Sequence, residues 1–567
     1  MSEREKMRPI FPLRKLLYLS ALSALLIFPG AKGAAVEPDL AQGVDALLRP
    51  LFPDNEPGGT VIVVKDGRIL LRKGYGMANL ELGVAMDPGM ILRVGSITKQ
   101  FTAVAVLMLA EQGRLGLSDS IAKYLPDFPT QGKTITIEHL LTHTSGIPSF
   151  TELPEWPALQ RNDMSLKDII DLFKNKPLEF SPGERWAYSN SGYILLGALI
   201  ERVSGEIYEE FLARHIFKPL GMTSTCCDSA SRVIPFRIPG YEKVGDGYEN
   251  APYVSMTQEF AAGAILSSVD DLAKWDEGLS AGRLLKNETL HKAFTPFKLA
   301  SGESTGYGYG WLVSEYEGHP MIEHDGGVSG FSSYALRMPA DRVYVAFLLN
   351  SRDNAKFPET LGMKIAGLAT GKPYRDPAAI SLPLEALDAL TGVYRIEGQQ
   401  LRVITREGNK LYSQRSGGEK FEIFPLSETE CFFKDSFLRL IFTKNRNGQA
   451  TEVRLKRRLG PAQVASRTDL PLPQEKKAVV LEPAIIDRYV GEYELQPGLT
   501  ITVSREASGL LIQFMGEPKL EILPMSEIRF FLKTVDGEVE FSRDASGHTT
   551  GLTLYRGERV LPAKKTK

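Results

Sequence analysis

The last third of the chain repeats itself, and the repeat narrows what it can fold into. Gly392 and Tyr394 match Gly491 and Tyr493, and Arg406-Glu407 matches Arg505-Glu506. Gln414 matches Gln513. Glu422-Ile423, Pro425 and Ser427-Glu428 match Glu521-Ile522, Pro524 and Ser526-Glu527. Phe442, Gly448 and Arg457 match Phe541, Gly547 and Arg556, and every pair is 99 positions apart. A period this long is domain duplication, not a solenoid repeat. Each copy strings short alternating strands between Gly, Asn, Asp and Pro, the pattern of a small antiparallel β-barrel. The copies are expected at 384–465 and 483–558, joined by a polar, Pro-containing linker at 466–482.

At 567 residues the chain exceeds what one hydrophobic core organises, so 36–375 is read as a separate domain. Val61 to Val64, Lys65-Asp66-Gly67 and Arg68 to Arg72 predict a β-hairpin around an Asp-Gly turn. Tyr334 to Met338 and Arg342 to Leu349 predict a second, turning at Pro339, Ala340 and Asp341. Between them the pattern is mainly helical. Phe101, Val104, Met108 and Leu109 recur at helical spacing, and Gly113 is the stop. Strands at both ends with helices between predict an α/β (α+β) domain of two lobes. The cleft between lobes is the expected active site.

Charge removes one class of function. The 67 basic and 69 acidic side chains give a net charge of −2, with no basic stripe for nucleic acid. At the N-terminus, Arg8, Arg14 and Lys15 precede an apolar run from Leu16 to Phe28. Pro29 and Gly30 break it, and the small residues Ala31, Gly33, Ala34 and Ala35 follow. Basic, apolar, then small is the order of a secretory signal peptide, so 1–33 is read as one. The protein is then exported, periplasmic or secreted, with an uncleaved N-terminal anchor as the alternative. The run of 13 residues is short of the ~20 that a membrane span needs, and no later segment is apolar enough. Three cysteines, Cys226, Cys227 and Cys431, make no disulfide framework and are read as packing residues.

Three short motifs carry chemistry. Gly95-Ser96-Ile97-Thr98-Lys99 opens the helix that bears Phe101. Three positions apart, Ser96 and Lys99 share a helix face. A serine hydroxyl is a poor nucleophile until a base takes its proton, and a helix N-terminus favours the anionic intermediate of acyl transfer. The same pair also suits a capping serine beside a solvated lysine. Tyr188-Ser189-Asn190 lies on a loop leading into an apolar helix from Gly192 to Ile200. A neighbouring ammonium lowers the pKa of a phenol from ~10 and makes phenolate a usable base. Asn190 offers both a donor and an acceptor. A buried Tyr and a turn Asn fit the tripeptide equally. His324-Asp325-Gly326-Gly327 precedes the strand from Phe331 to Met338. Its glycines admit close approach, so a Gly327 N–H is available to pair with that of Ser96 as an oxyanion hole. A plain turn with a surface His is the other reading.

Together and in this order, the three motifs resemble the serine β-lactamase and penicillin-binding-protein superfamily, in its class C-like branch with esterases and D-aminopeptidases. Leu140-Leu141-Thr142-His143-Thr144-Ser145-Gly146 fits the same family, as does Ala261-Ala262-Gly263 leading to Asp270-Asp271-Leu272. The resemblance spans roughly residues 40–370. It implies a β-lactamase-like two-lobe catalytic domain followed here by two lipocalin-like barrels. It implies Ser96 as nucleophile, Lys99 as the group that tunes it, and Tyr188 as the proton shuttle to the leaving group. Asn190 would hold the substrate amide or Lys99, and His324 and Gly327 would meet the substrate. Main-chain N–H groups of Ser96 and Gly327 would form the oxyanion hole. The implied reaction is acylation then hydrolysis of a small-molecule or peptide substrate, with no metal and no cofactor. Many β-lactamases of the superfamily have Lys where this chain has His324. A His of reference pKa ~6.5 is mostly uncharged at neutral pH, so weaker recognition of a penicillin carboxylate is expected. The His form resembles the D-aminopeptidase and esterase side. Asp325 suits a substrate ammonium or a local backbone cap. The alternatives are β-lactamase activity and a non-catalytic cell-wall-peptide binder on the same scaffold.

Two signals are set aside. His139 and His143 lie four apart, but Leu140 stands where the zincin pattern needs Glu, so both are read as structural. Lys564-Lys565 is expected to fray as a tail.

Overall fold

The apolar run at Val61–Val63 becomes a strand buried on both faces, and the domain that precedes the repeats is built around it. The structure is a computed structural model. It describes residues 38–567 apart from 245–246, 317, 353–357, 376, 397–399, 417, 435, 457–461, 474–475, 497–498, 507–508, 515–518, 534 and 557–558. The proposed signal segment, 1–33, lies outside the described residues.

β1 (Gly59–Lys65) and β2 (Arg68–Tyr75) form the first hairpin. Asp66 and Gly67 turn it with φ of 52° and 72°, the left-handed pair that a two-residue turn needs. β3 (Leu312–Tyr316), β4 (His319–Val328), β5 (Phe331–Met338) and β6 (Val343–Leu349) come from the far end of the domain. The sheet runs β3-β4-β5-β6-β1-β2, antiparallel throughout, with Val61 opposite Phe347. The helices that matter are α1 (Pro38–Leu48), α2 (Thr98–Glu111), α3 (Asn190–Ser204), α4 (Met256–Gly263) and α5 (Pro358–Ala369). Val61, Val63, Val345 and Phe347 share one core with Leu40 and Val44 of α1 and Leu361 and Ile365 of α5. Ile62, Ala346 and Leu348 face the other way, into a larger core shared with α2 and α3. This alternation is the two-residue period of a strand with both faces covered.

α2 is buried on nearly every side, from Thr98 through Leu107. Such a helix sits in a core because no face of it is left for water. That seat carries Lys99 down to 0% exposure.

Beyond that domain, eight strands from Gly392–Ile396 to Gln463–Arg467 close into one antiparallel barrel. Eight more, from Gly491–Gln496 to Arg559–Lys565, close into a second. Lys564-Lys565 is therefore no frayed tail: Lys565 pairs with Tyr493 and Lys564 with Glu494. A barrel loses its edges only when its last strand meets its first, and these lysines are in that seam. Cys226, Cys227 and Cys431 are free thiols, the last two buried. No described helix is long and apolar enough to cross a membrane.

Candidate active site

A 3₁₀ turn at Gly95–Ile97 leads into α2 and presents Ser96 half-buried at its head. Two glycines let this turn dock against β4. Gly95 has φ of +50°, and a Cβ there would stand 2.8 Å from the Gly327 nitrogen. A Cβ on Gly326 would stand 2.1 Å from the Val94 carbonyl oxygen and 3.1 Å from the Ser96 nitrogen. The Ser333 hydroxyl donates to Val94 O at 2.8 Å and fastens the contact. Side chains at either glycine would push the Ser96 and Gly327 main chains apart. The His324–Gly327 motif is thus not a turn. It lies inside β4, with Gly326 opposite Ser333 and Gly327 opposite Ser332. Gly327 is exposed.

Lys99 Nζ lies 3.0 Å from Ser96 Oγ, 2.8 Å from Asn190 Oδ1 and 2.9 Å from the Ala262 carbonyl oxygen. Three acceptors match the three donors of an ammonium. Burial nevertheless pushes its pKa down to about 7, against the opposing pull of Glu259 and Asp325. Asn190 is the first residue of α3, behind the Ser189 cap. Its Nδ2 donates to Thr151 Oγ1 at 3.0 Å and its backbone N–H donates to Ser149 Oγ at 3.1 Å. These bonds fix which way its amide faces and leave Oδ1 for Lys99.

Tyr188 is half-buried and lies beside Ser96, whose hydroxyl opposes the rise in its pKa. The expectation of a phenolate base fails. Burial pushes the Tyr188 pKa well above its ordinary value, and the Asp325 and Glu259 charges add to the rise. The ammonium that was to lower it lies over the ring instead, 4.7 Å from the centroid. Tyr188 is a neutral phenol, and the group whose pKa is brought to neutrality is Lys99.

His324 also departs from expectation. Its Nδ1 is 2.6 Å from the Asp325 carbonyl oxygen, which only accepts, so Nδ1 carries the proton. Nε2 is then the acceptor for the Tyr307 hydroxyl at 2.9 Å. Burial lowers its pKa and keeps it neutral. Both ring nitrogens are spent within the protein, so His324 holds Tyr307 and offers the substrate neither a cation nor a free donor.

Several neighbours were given no site role by the sequence, although Ala262 and His143 lie in phrases that fit the family. Ala262 gives a backbone carbonyl, which no side-chain pattern reveals. Glu259, one turn earlier on α4, folds its carboxylate over Gly263, with Oε2 2.4 Å from where a Cβ would stand. Burial raises its pKa, and Lys99 opposes the rise. Between them Phe260 has φ 36° and ψ −123°, a strained kink of the kind that clusters at functional sites. The glycine-aromatic alternation Gly306-Tyr307-Gly308-Tyr309-Gly310-Trp311 was the one available signal for Tyr307. His143, read as structural, stands in the wall of the site, its ring 4.3 Å from that of Tyr188. His139 is the one that is structural: its Nδ1 accepts the Thr136 N–H at a helix cap.

The arrangement is a serine on a helix head, a buried amine within reach of it, a neutral phenol beside it, and main-chain N–H groups alongside. The chain that carries it is similar to known proteins. The family described as Beta-lactamase matches residues 44–370, and a domain of unknown function, DUF3471, matches 475–564. Penicillin-binding protein 4* of Bacillus subtilis (strain 168) is 29% identical over 424 residues, 70% of this chain and 93% of the relative. The octameric penicillin-binding protein homologue from Pyrococcus abyssi is 26% identical with a TM-score of 0.55, covering 76% of this chain and 100% of that one. The D-amino acid amidase from Ochrobactrum anthropi SV3 complexed with D-phenylalanine is 23% identical with a TM-score of 0.52. It covers 59% of this chain and 97% of that one, a likeness of fold.

Proposed function

Because the chain belongs to the β-lactamase family of serine hydrolases, we propose that it cleaves an amide or ester bond of a small peptide or amino-acid derivative through an acyl-enzyme on Ser96. One observation carries the reading: a lysine with a pKa near neutrality, its amine 3.0 Å from the serine hydroxyl.

The steps follow from the geometry. Near pH 7 a share of Lys99 is a free amine. It still donates two hydrogen bonds, to Asn190 Oδ1 and Ala262 O, and turns its lone pair toward Ser96. Ser96 Oγ attacks the carbonyl carbon as its proton passes to Lys99. The oxyanion forms between the Ser96 and Gly327 N–H groups, which are fixed before the substrate arrives. Tyr188 gives its proton to the leaving group and is reprotonated from Lys99. Water then attacks the acyl-enzyme, and the same groups act in reverse. A phenol held neutral by burial suits the donor part, because it keeps its proton until the leaving group needs it.

Within this class, the neutral and fully engaged His324 favours substrates without a carboxylate at that point over penicillins. D-Aminopeptidase-like and esterase activities both meet that condition. The basic, apolar, then small order of 1–33 supports export to the periplasm or the medium.

The test is intact-mass spectrometry of the folded protein with a fluorophosphonate and, separately, with a penicillin. One fluorophosphonate adduct mapped to Ser96 is expected. Folded protein that takes up neither reagent would overturn the reading and favour a peptide-binding role.

A further inference from the structure

His143 is the residue of the site that the mechanism does not use, and its surroundings are too specific for a filler. Its φ is +58°, a left-handed backbone that a side chain other than Gly seldom adopts. Its own carbonyl oxygen accepts the Ala187 N–H at 3.0 Å. Its ring Nδ1 accepts the Ser189 N–H at 3.1 Å. The two bonds grip the backbone immediately before and immediately after Tyr188. Between them the imidazole lies on the Tyr188 ring, centroids 4.3 Å apart and planes 35° apart. Tyr307 and Tyr193 wall the imidazole at 4.7 and 5.1 Å.

The tautomer follows. Nδ1 accepts from a backbone N–H, so in the neutral ring the proton is on Nε2. Nε2 is buried and has no hydrogen-bond partner among the described residues. A ring so placed does not reach substrate and does not exchange protons with it. The carbonyl and the Nδ1 of this strained residue both bond to one tripeptide, Ala187 to Ser189. Strain of this kind persists where the surroundings over-determine it, commonly at active sites.

We propose that His143 is a positioning residue, which sets the Tyr188 hydroxyl at Ser96 by gripping the chain on both sides of Tyr188 and stacking on its ring. The inference rests on the reading of Tyr188 as the proton donor to the leaving group. It predicts that loss of His143 harms proton delivery and spares the Ser96–Lys99 nucleophile, which reaches its partners through α2, α3 and α4.

A pair of substrates separates the two. p-Nitrophenyl butyrate and ethyl butyrate share an acyl group, but nitrophenolate leaves unaided whereas ethoxide needs a proton. His143→Phe keeps the ring and its volume but removes the Nδ1 acceptor. It should cut kcat/KM, which reports acylation, on ethyl butyrate by about 30-fold or more and on p-nitrophenyl butyrate by no more than about 3-fold, within the span that positioned proton transfer supplies. Fluorophosphonate labelling of Ser96 should persist, which also shows that the variant folds. His143→Asn supplies an oxygen near the Nδ1 position and tolerates a left-handed backbone, so it should recover most of the ethyl ester activity. Equal losses on both esters, an Asn variant as weak as the Phe variant, or a Phe variant like wild type would each overturn the proposal. A wild-type protein that is neither labelled nor active on either ester would overturn the Ser96 reading and this one with it.

Discussion

The two barrels keep the same fastenings and differ inside. In the first, the Tyr394 hydroxyl donates to the Leu390 carbonyl at 2.6 Å, and Arg406 pairs with Asp388. In the second, Tyr493 donates to Tyr489 O at 2.7 Å, and Arg505 pairs with Asp487. Each of these partners lies 99 positions after its counterpart. The interiors share Ile423 and Phe442 with Ile522 and Phe541 but part at one buried pair. Arg402 and Ser413 of the first barrel are 7% and 1% exposed and hydrogen-bonded at 2.9 Å. The same positions of the second barrel hold Ile501 and Ile512, both fully buried. A buried guanidinium keeps its charge, so it survives inside only with partners, whereas two isoleucines need only volume. Ties from the early strands to the segment that precedes them were retained in both copies, while this interior pair diverged.

The catalytic cleft obeys a third rule. Lys99 is as buried as the barrel isoleucines, yet its amine is aimed at a half-buried serine on the cleft. Its burial shifts chemistry, where the burial of Tyr493 secures a fold. The contrast is sharpest if cleft substitutions remove activity and leave stability, and barrel substitutions do the reverse.

Ser96→Ala should show the largest effect, a fall in kcat/KM of about 10⁴-fold or more with the melting temperature nearly unchanged. Tyr188→Phe should lower kcat by about 10²-fold, more on poor leaving groups than on good ones. In the second barrel, Ile512→Ser imports the first barrel's hydroxyl without its arginine. It should cost about 2–4 kcal/mol in denaturant unfolding and leave kcat/KM intact. If activity falls with it, the barrel is coupled to the cleft and the contrast breaks.

pH gives a subtler test. A base with pKa about 7 makes kcat/KM rise as pH passes upward through 7, because Lys99 can take the Ser96 proton only after losing its own. The Glu259 charge supports the protonated form. Glu259→Gln should therefore move the acid limb to lower pH by about half a unit to one unit. A limb that moves upward would refute the assignment of Lys99 as the base. The same depressed pKa links to stability: unfolded Lys99 holds its proton up to 10.5, so its contribution to stability grows as pH climbs from about 7 toward 10.5. Smallest of all, Tyr394→Phe and Tyr493→Phe should each cost about 1 kcal/mol and nearly the same amount, since each removes the same tie.

Much of this was legible beforehand, for identifiable reasons. The 99-residue offset exposed the duplicated barrels because side chains alternate in and out along each strand. Ser96 and Lys99 were readable as a pair because helical spacing is local. Tyr188, Asn190 and Gly327 were readable only through the order of three motifs that resemble one superfamily. That His324 is mostly uncharged followed from its identity, but that it is not free to meet the substrate did not, because the Asp325 carbonyl and Tyr307 claim both nitrogens.

What the sequence by itself determined is the set of parts: a sheet with helices inserted, two barrels of one origin, and a serine with a lysine one turn along a helix. These follow from spacing, which is a property of neighbours along the chain. Which side chain has its pKa brought toward neutrality was decided only by the tertiary structure. The low pKa of Lys99 and the high pKa of Tyr188 both arise from burial, and burial is supplied by residues distant in sequence. Ala262, Glu259 and His143 reach the cleft for the same reason: they arrive through packing, and packing leaves no periodic mark on the sequence that brings it about.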